Sequence, residues 1–283
     1  MAISRAQLLK ELLPGLNALF GIEYARYDDE HSDIYETESS SRSFEEEVKL
    51  SGFDAAPVKD EGSAISYDAA QESFTARYNH ETIAMGFAIT EEAMEDNLYD
   101  SLSARYTKAL ARAMAHTKQV KAVVPLNNGF TAAYQGGDGV NLFTASGDGV
   151  TGGDGHPLVS GGKNSNRPAT AVDLNETSLE AAVIQIGKWT DERGLMIAAR
   201  PQTLVIPPDL QFVATRVMKS DLRPGTADND INAVRSMGVV PGGTVVNHYL
   251  TDTDAWFLLT DIPNGMKHFN RVALETSMDG DFD

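Results

Sequence analysis

The chain has 283 residues, 42% hydrophobic and 23% charged, an ordinary composition for one large or two modest folded domains. Its formal net charge of −18 argues against gripping nucleic acid by its phosphates or docking on anionic membrane, since both need clustered Lys and Arg. There is no cysteine, which excludes disulfides, thiolate catalysis and cysteine metal sites and fits a reducing compartment.

Ser4 and Gln7 make a capping-box pair, and Leu8, Leu9, Leu12 and Leu13 predict a short amphipathic helix. Lys10 and Glu11 within its apolar run disqualify it as a signal peptide, and no run in the chain approaches the length of a membrane span. Pro14-Gly15 interrupts the helix, after which Leu16, Leu19, Phe20 and Tyr24 resume an apolar face. From residue 28 to 47, acidic side chains crowd around the serines at 39–43, too polar a stretch for a core of its own. It reads either as an extended arm lying on something else or as a disordered acidic tail.

Two strands follow, EEEVKL (45–50) and SFTARY (73–78). The polar segment joining them carries Gly52, Pro57, Lys59-Asp60-Glu61-Gly62 and Tyr67, as a long hairpin tip would. Ile83, Met85, Phe87 and Ile89 alternate strictly, which predicts a strand leading into the next element. That element is a long helix from Thr90 to Val124. Thr90 is its N-cap, acids fill its first turns, and Lys108, Arg112, His116, Lys118 and Lys121 load the far end. Met94, Leu98, Leu102, Tyr106, Ala109, Ala113, Val120 and Val124 form an apolar stripe expected to face a core, and Pro125 with Asn127-Asn128-Gly129 ends the rod. Its span would be roughly 50 Å, a spine for a large domain; a coiled coil is the rival reading, against which the stripe lacks strict heptads.

A glycine-dense loop occupies 136–168, of a length that points to function or mobility. Leu179, Val183, Ile186 and Trp189 predict a helix closed by Gly194. TLVIP reads as a strand, Pro207-Pro208-Asp209 opens a helix carrying Leu210, Val213, Val217 and Met218, and GTVVNHYL and AWFLLTD read as strands of one sheet turning through 251–254. Helices and strands are mixed without βαβ alternation, so the fold class is α+β, and no internal repeat is present.

Short catalytic motifs match only by accident. Gly147, Gly149 and Gly152 satisfy G-x-G-x-x-G, yet no strand precedes them and no helix follows. Gly162-Lys163 lacks the rest of a P-loop, and His80-Glu81 meets Ala84 where a metalloprotease needs histidine. Ser160 and Lys163 have S-x-x-K spacing but sit in a loop too loose to preorganise a nucleophile. The Gly-Asp-Gly triplets at Asp138, Asp148 and Asp154 hint at calcium without a regular repeat, and His248 and Trp256 read as core or interface residues. No catalytic, cofactor-binding or metal-ligating residue is nominated, and no cofactor is expected.

The order of acidic arm, long hairpin, strand, spine helix and α+β region resembles a tailed-phage major capsid protein of the Hong Kong 97 type. PGLNALFGIEY, FEEEVKLSGFDAAPVKDEG, the 89–122 segment, LVIPPDLQFVATRVMKS and GTADNDINAV are similar to the Mu-like head subunit branch of that group. The resemblance implies an N-terminal arm (1–44), an extended loop (45–78), a peripheral domain (79–129, with spine helix 90–124), an axial domain (130–255) and a return to the peripheral domain (256–283). It implies a virion protein, assembled in a host bacterial cytoplasm into hexamers and pentamers of an icosahedral head. Its partners would be itself, a scaffold, a portal and decoration proteins, and it would enclose double-stranded DNA without specific binding, with no membrane involved. Members of that branch continue with a basic, aromatic segment where this sequence stops at MDGDFD, so the resemblance leaves two alternatives: the sequence is cut short, in which case −18 overstates the natural charge, or the peripheral sheet lacks its last strand. Some capsids of this type cross-link a loop lysine to a neighbour's asparagine. Here Lys59 is flanked by Asp60 and Glu61, which favour its charged form, and Lys49 is the better-placed donor, yet non-covalent shells are expected. Two other readings remain at this point: an encapsulin-like cellular compartment shell on the same fold, and a calcium-binding secreted protein using the Gly-Asp-Gly loop.

Overall fold

The structure, a computed structural model, describes residues 5–88, 99–146, 154–223 and 230–277. The first half carries α1 (Arg5–Tyr24), a 3-10 turn at Glu30–Asp33, β1 (Glu36–Ser39), β2 (Phe44–Leu50), β3 (Glu72–Asn79) and α2 (Tyr99–Asn127). After it come β4 (His156–Pro157), β5 (Lys163–Asn164), α3 (Glu176–Ile186), β6 (Pro201–Ile206) and a 3-10 turn at Pro208–Leu210. The chain continues with α4 (Gln211–Lys219), α5 (Ala233–Met237), β7 (Thr244–Val246), β8 (Phe257–Thr260) and β9 (Lys267–Asn270). Helix and strand are mixed as the sequence led one to expect.

The centre is a three-stranded sheet of order β7-β6-β8, with β6 parallel to β7 and antiparallel to β8. The two strands expected on either side of 251–254 do share this sheet, but they flank β6 and do not pair with each other. Successive β6 side chains point to opposite faces. Val205 joins Ile34, Val123, Leu126, Leu250 and Phe257 on the side of α2, while Leu204 and Ile206 pack with Leu174, Ala214 and Val240 beneath α4. Leu179, Val217 and Val234 extend that second layer to α3 and α5.

Helix boundaries differ from the sequence reading where a local signal met tertiary support. α1 runs through Pro14-Gly15 without a break. A proline removes one hydrogen bond from a helix, and here the packing of α1 along α2 outweighs that loss. α3 is opened by Asn175, whose side chain accepts the Ser178 N–H at 2.9 Å while Ser178 answers the Asn175 N–H. It ends at Gly187 and not at Gly194, because Gly194, at φ 86°, belongs to a separate turn.

α2 is the predicted spine, about 44 Å long as described. Thr90 and the acidic first turns lie outside the described residues, as do Met94 and Leu98. Pro125 does not stop the helix. It sits in the last turn, where its missing N–H costs one bond, and the end is held by asparagines instead. Asn127 donates to the Tyr249 carbonyl at 3.1 Å and accepts the Thr251 N–H at 3.0 Å, and Asn128 donates to the Val124 carbonyl.

The buried face of α2 is the main correction. It consists of Ser103, Thr107, Ala111, Ala115, Gln119 and Val123, with Leu126 beyond. The expected stripe is on the other side: Tyr106 is 49% exposed, Val120 39%, and Ala109 is exposed too. A row spaced strictly by four drifts roughly 40° around the helix at each step, so the buried row winds from one partner to the next. Small side chains along it permit close approach by a neighbouring element.

One other segment departs from the sequence reading. Residues 83–88 form no strand, because no other described segment offers them a ladder; Met85 and Phe87 stand exposed, and Ile89 lies outside the described residues. The acidic stretch after Asp28 is not a free tail but lies on other parts of the same chain. His31 and Ile34 are buried, Gln119 of α2 accepts the His31 N–H at 3.2 Å, and β1 pairs in parallel with β9, Glu36 opposite Lys267. Lys267 ties this edge to the hairpin, pairing with Glu38 at 3.0 Å and with Glu47.

Candidate interaction surface

The predicted hairpin forms as expected. β2 and β3 pair antiparallel from Phe44–Asn79 inward, with a register shift between Val48 and Leu50. Arg77 braces it, bonding Glu46 at 2.7 Å and lying over the Phe44 ring. The last rung is Ser51–Gln71, where each residue's N–H is satisfied by the other at 2.7 and 2.9 Å.

Beyond that rung the chain makes a long excursion, residues 52–70, with no strand or helix. Its apolar side chains are turned to solvent: Val58 is 95% exposed, Tyr67 89%, and Phe53 and Ile65 about as open as each other at 59% and 60%. Asp54, Asp60, Glu61 and Asp68 against Lys59 leave it acidic. Asp68 is organised rather than free: it accepts the Asp54 N–H at 2.7 Å and the Ala69 N–H at 2.8 Å, bonds that hold its carboxyl below the usual range.

The outward face of α2 is the complement in charge. Tyr106, Ala109, Ala113 and Val120 form a straight apolar stripe, flanked by Arg105, Lys108, Arg112, His116 and Lys121, and no acid occurs between Leu102 and Asn127. Phe87 lies against this face, its ring centroid 5.8 Å from that of Tyr106. A surface of this kind, apolar along its axis and charged at its rim, is how docking patches are built.

The residues weighed for chemistry are occupied elsewhere. Burial raises the Asp138 carboxyl, but its bond to His156 Nδ1 at 2.6 Å and that ring's charge outweigh this, leaving it below the usual range. His156 Nε2 meets the Leu142 carbonyl at 3.2 Å, so this pair pins the glycine-dense loop. Asp154 pairs with Lys163, and Asp148 with the G-x-G-x-x-G glycines lies outside the described residues. Ser160 sits on the formed turn between β4 and β5 and Lys163 opens β5 opposite Pro157, so neither is in a loose loop. His80 meets Ser40 Oγ at 3.0 Å. His248 is not a core residue: it is exposed and bonds Glu30 at 2.7 Å, whereas Trp256 packs among the core clusters and donates to the Val172 carbonyl. Lys49 is held by Glu192, and Lys59 stands exposed on the excursion.

Sequence reasoning missed Glu192, Arg193 and Gln119. Asp191 and Gly194 carried a local turn signature, but Gln119 serves His31 88 positions away, Arg193 serves Ala69 and Gly52 at 124 and 141, and Glu192 serves Val159 at 33, and no periodicity points to any of them.

The family model described as phage capsid protein matches residues 73–283. Among solved structures, the bacteriophage JBD30 procapsid matches at a TM-score of 0.56 with 16% identity, covering 88% of this chain and all of that one. The JBD30 capsid decorated with minor capsid protein trimers matches at 0.53 with 15% identity, covering 77% of this chain and 89% of that one. No curated protein matches.

Proposed function

Because the chain belongs to the phage capsid protein family, we propose that it is the major head subunit of a tailed phage, closing into hexamers and pentamers around double-stranded DNA. The coarser part, a structural capsid protein of the virion, follows from the family itself. The finer part is carried by one observation: an acidic excursion whose apolar tip residues face solvent and, on the same subunit, a basic-rimmed apolar face on α2 that, among the described residues, carries only edge contacts from Phe87, Glu81 and Tyr249. We read the excursion of one copy as docking on the α2 face of the next. Such a contact joins different patches of two copies, so it propagates head to tail and closes into rings.

This reading keeps the Hong Kong 97 organisation: arm 1–44, extended loop 45–78, peripheral parts 79–129 and 256–283, and axial part 130–255. Scaffold, portal and decoration proteins would be its partners, and assembly would take place in the host cytoplasm. With the basic face of α2 covered by a neighbour, the remaining surface is strongly acidic, which suits a wall that encloses DNA without binding it. The calcium reading finds no open ligand among the described residues, since Asp138 is bonded to His156 and Asp154 is paired with Lys163.

Negative-stain imaging of the purified protein tests the proposal. Rings and closed shells are expected, containing DNA when isolated from infected cells. Monomers at all concentrations would refute it, and a docked enzyme inside in place of a genome would favour a cellular compartment.

A further inference from the structure

We propose that the turn from Thr190 to Met196 is a clamp that aims the excursion, with Arg193 as the positioning residue. The proposal rests on the reading of the excursion as the arm that docks a neighbour.

The turn is built to be rigid. Asp191 Oδ1 accepts the N–H groups of Arg193 (2.9 Å) and Leu195 (2.8 Å), and Thr190 and Met196 form a bridge across it. Gly194 takes the positive φ that lets the chain reverse. Its roots are fastened as well. Asn164 donates to the Thr190 carbonyl at 2.7 Å, and the Trp189 indole N–H donates to the Ser165 carbonyl at 3.0 Å. Buried Glu192 accepts the Val159 N–H at 3.1 Å and pairs with Lys49 of β2. The turn is thus joined to β5, to the end of α3 and to the hairpin.

From this base Arg193 reaches both legs of the excursion at once. Its Nε donates to the Gly52 carbonyl at 3.3 Å, a terminal nitrogen donates to the Ala69 carbonyl at 2.8 Å, and the other lies 3.7 Å from Asp54 Oδ1. Gly52 and Ala69 come just after the last rung of the hairpin on one leg and just before it on the other. The guanidinium therefore takes over where the ladder stops. Without it, the legs would pivot about Ser51 and Gln71, braced only by the bond between Asp54 and Asp68. Arginine suits the task because its planar fork fixes several donors in set directions, while lysine offers one mobile point charge. An arm that must meet a neighbour in one orientation loses binding to the entropy of every orientation it can sample.

The chain lacks cysteine, so spin labels at Lys59→Cys on the excursion and Asp209→Cys on the body report the arm's direction in unassembled subunits. The wild-type background should give one narrow distance distribution. Arg193→Ala should broaden it and abolish closed shells while leaving the circular dichroism spectrum unchanged, and Arg193→Lys should fall between. If Arg193→Ala does not fold, Arg193→Lys carries the test alone, with a broader distribution than wild type expected. A wild-type distribution in the variants, or normal shells from Arg193→Ala, overturns the clamp. Wild-type subunits that never form shells would sink the docking reading instead, and the distance measurement would still decide whether the clamp exists.

Discussion

Val58→Asp is the most direct probe of the excursion. At 95% exposure Val58 touches almost nothing in its own subunit, so its replacement should leave folding stability within about 0.5 kcal/mol. If the side chain is buried on a neighbour, the lost burial alone is about 1.5 kcal/mol per contact, before any cost of placing a carboxylate against apolar surface. That is roughly a tenfold loss in the association constant of each contact, and about 9 kcal/mol around a closed ring of six. Light scattering and sedimentation across a concentration series would measure the threshold for assembly. The variant should need roughly ten times more protein to assemble, or more, with an unchanged thermal midpoint. Assembly at the wild-type threshold would show that the tip stays in water, and the docking argument would fail with it.

Acid should loosen the junction between the N-terminal segment and β9. Burial first, and the Lys118 charge after it, hold His31 below its usual 6.5; His268 is lowered by burial, then by His31 and Lys118, with Asp29 opposing in both cases. Both folded values are depressed, so the unfolded chain binds more protons in this range; the stability is full above about pH 6.5 and is lost as pH falls through the folded values. The thermal midpoint should drop between pH 7 and 5, and less steeply in His268→Phe; equal slopes would refute this. Gly129→Ala should destabilise by about 1–3 kcal/mol, because its new Cβ would lie 2.5 Å from the Phe143 ring and 2.8 Å from the Pro125 carbonyl. An unchanged melting curve would contradict that clash. With Lys49 engaged by Glu192, boiled particles should run as one band at 30.6 kDa, and a ladder of multiples would reveal covalent links.

The elements legible in the sequence were those whose pattern and partner are close together. The β2–β3 hairpin, the Pro-Pro entry to α4 and the strands around β6 declared themselves through alternation and turn residues. α2 declared its existence but not its orientation. Periodicity favours the straight apolar row from Tyr106 through Ala109 and Ala113 to Val120, whereas burial went to a drifting row of small and polar residues that ends in Gln119 and Val123. Under the docking proposal, an apolar stripe does not tell which of its partners lies in the same chain. The same ambiguity misled at 83–88, whose alternation has no ladder within the subunit. The clamp was illegible for another reason: Arg193 serves backbone carbonyls, and a carbonyl leaves no trace in the residue type that carries it.

The pairing of β1 with β9 has a consequence for how the protein is made. Glu36 can find Lys267 only after more than two hundred further residues have left the ribosome, roughly ten to fifty seconds later at ordinary rates of synthesis. Until then, residues 28–39 have α2 to lie on but no edge strand, and Lys267 is not there to join Glu38 to Glu47 at the foot of the hairpin. Contacts so distant in sequence form late. A nascent chain therefore carries its excursion on an unfinished foundation, and if the excursion docks a neighbour as proposed, truncated products that lack β9 would be poor competitors for places in a growing lattice.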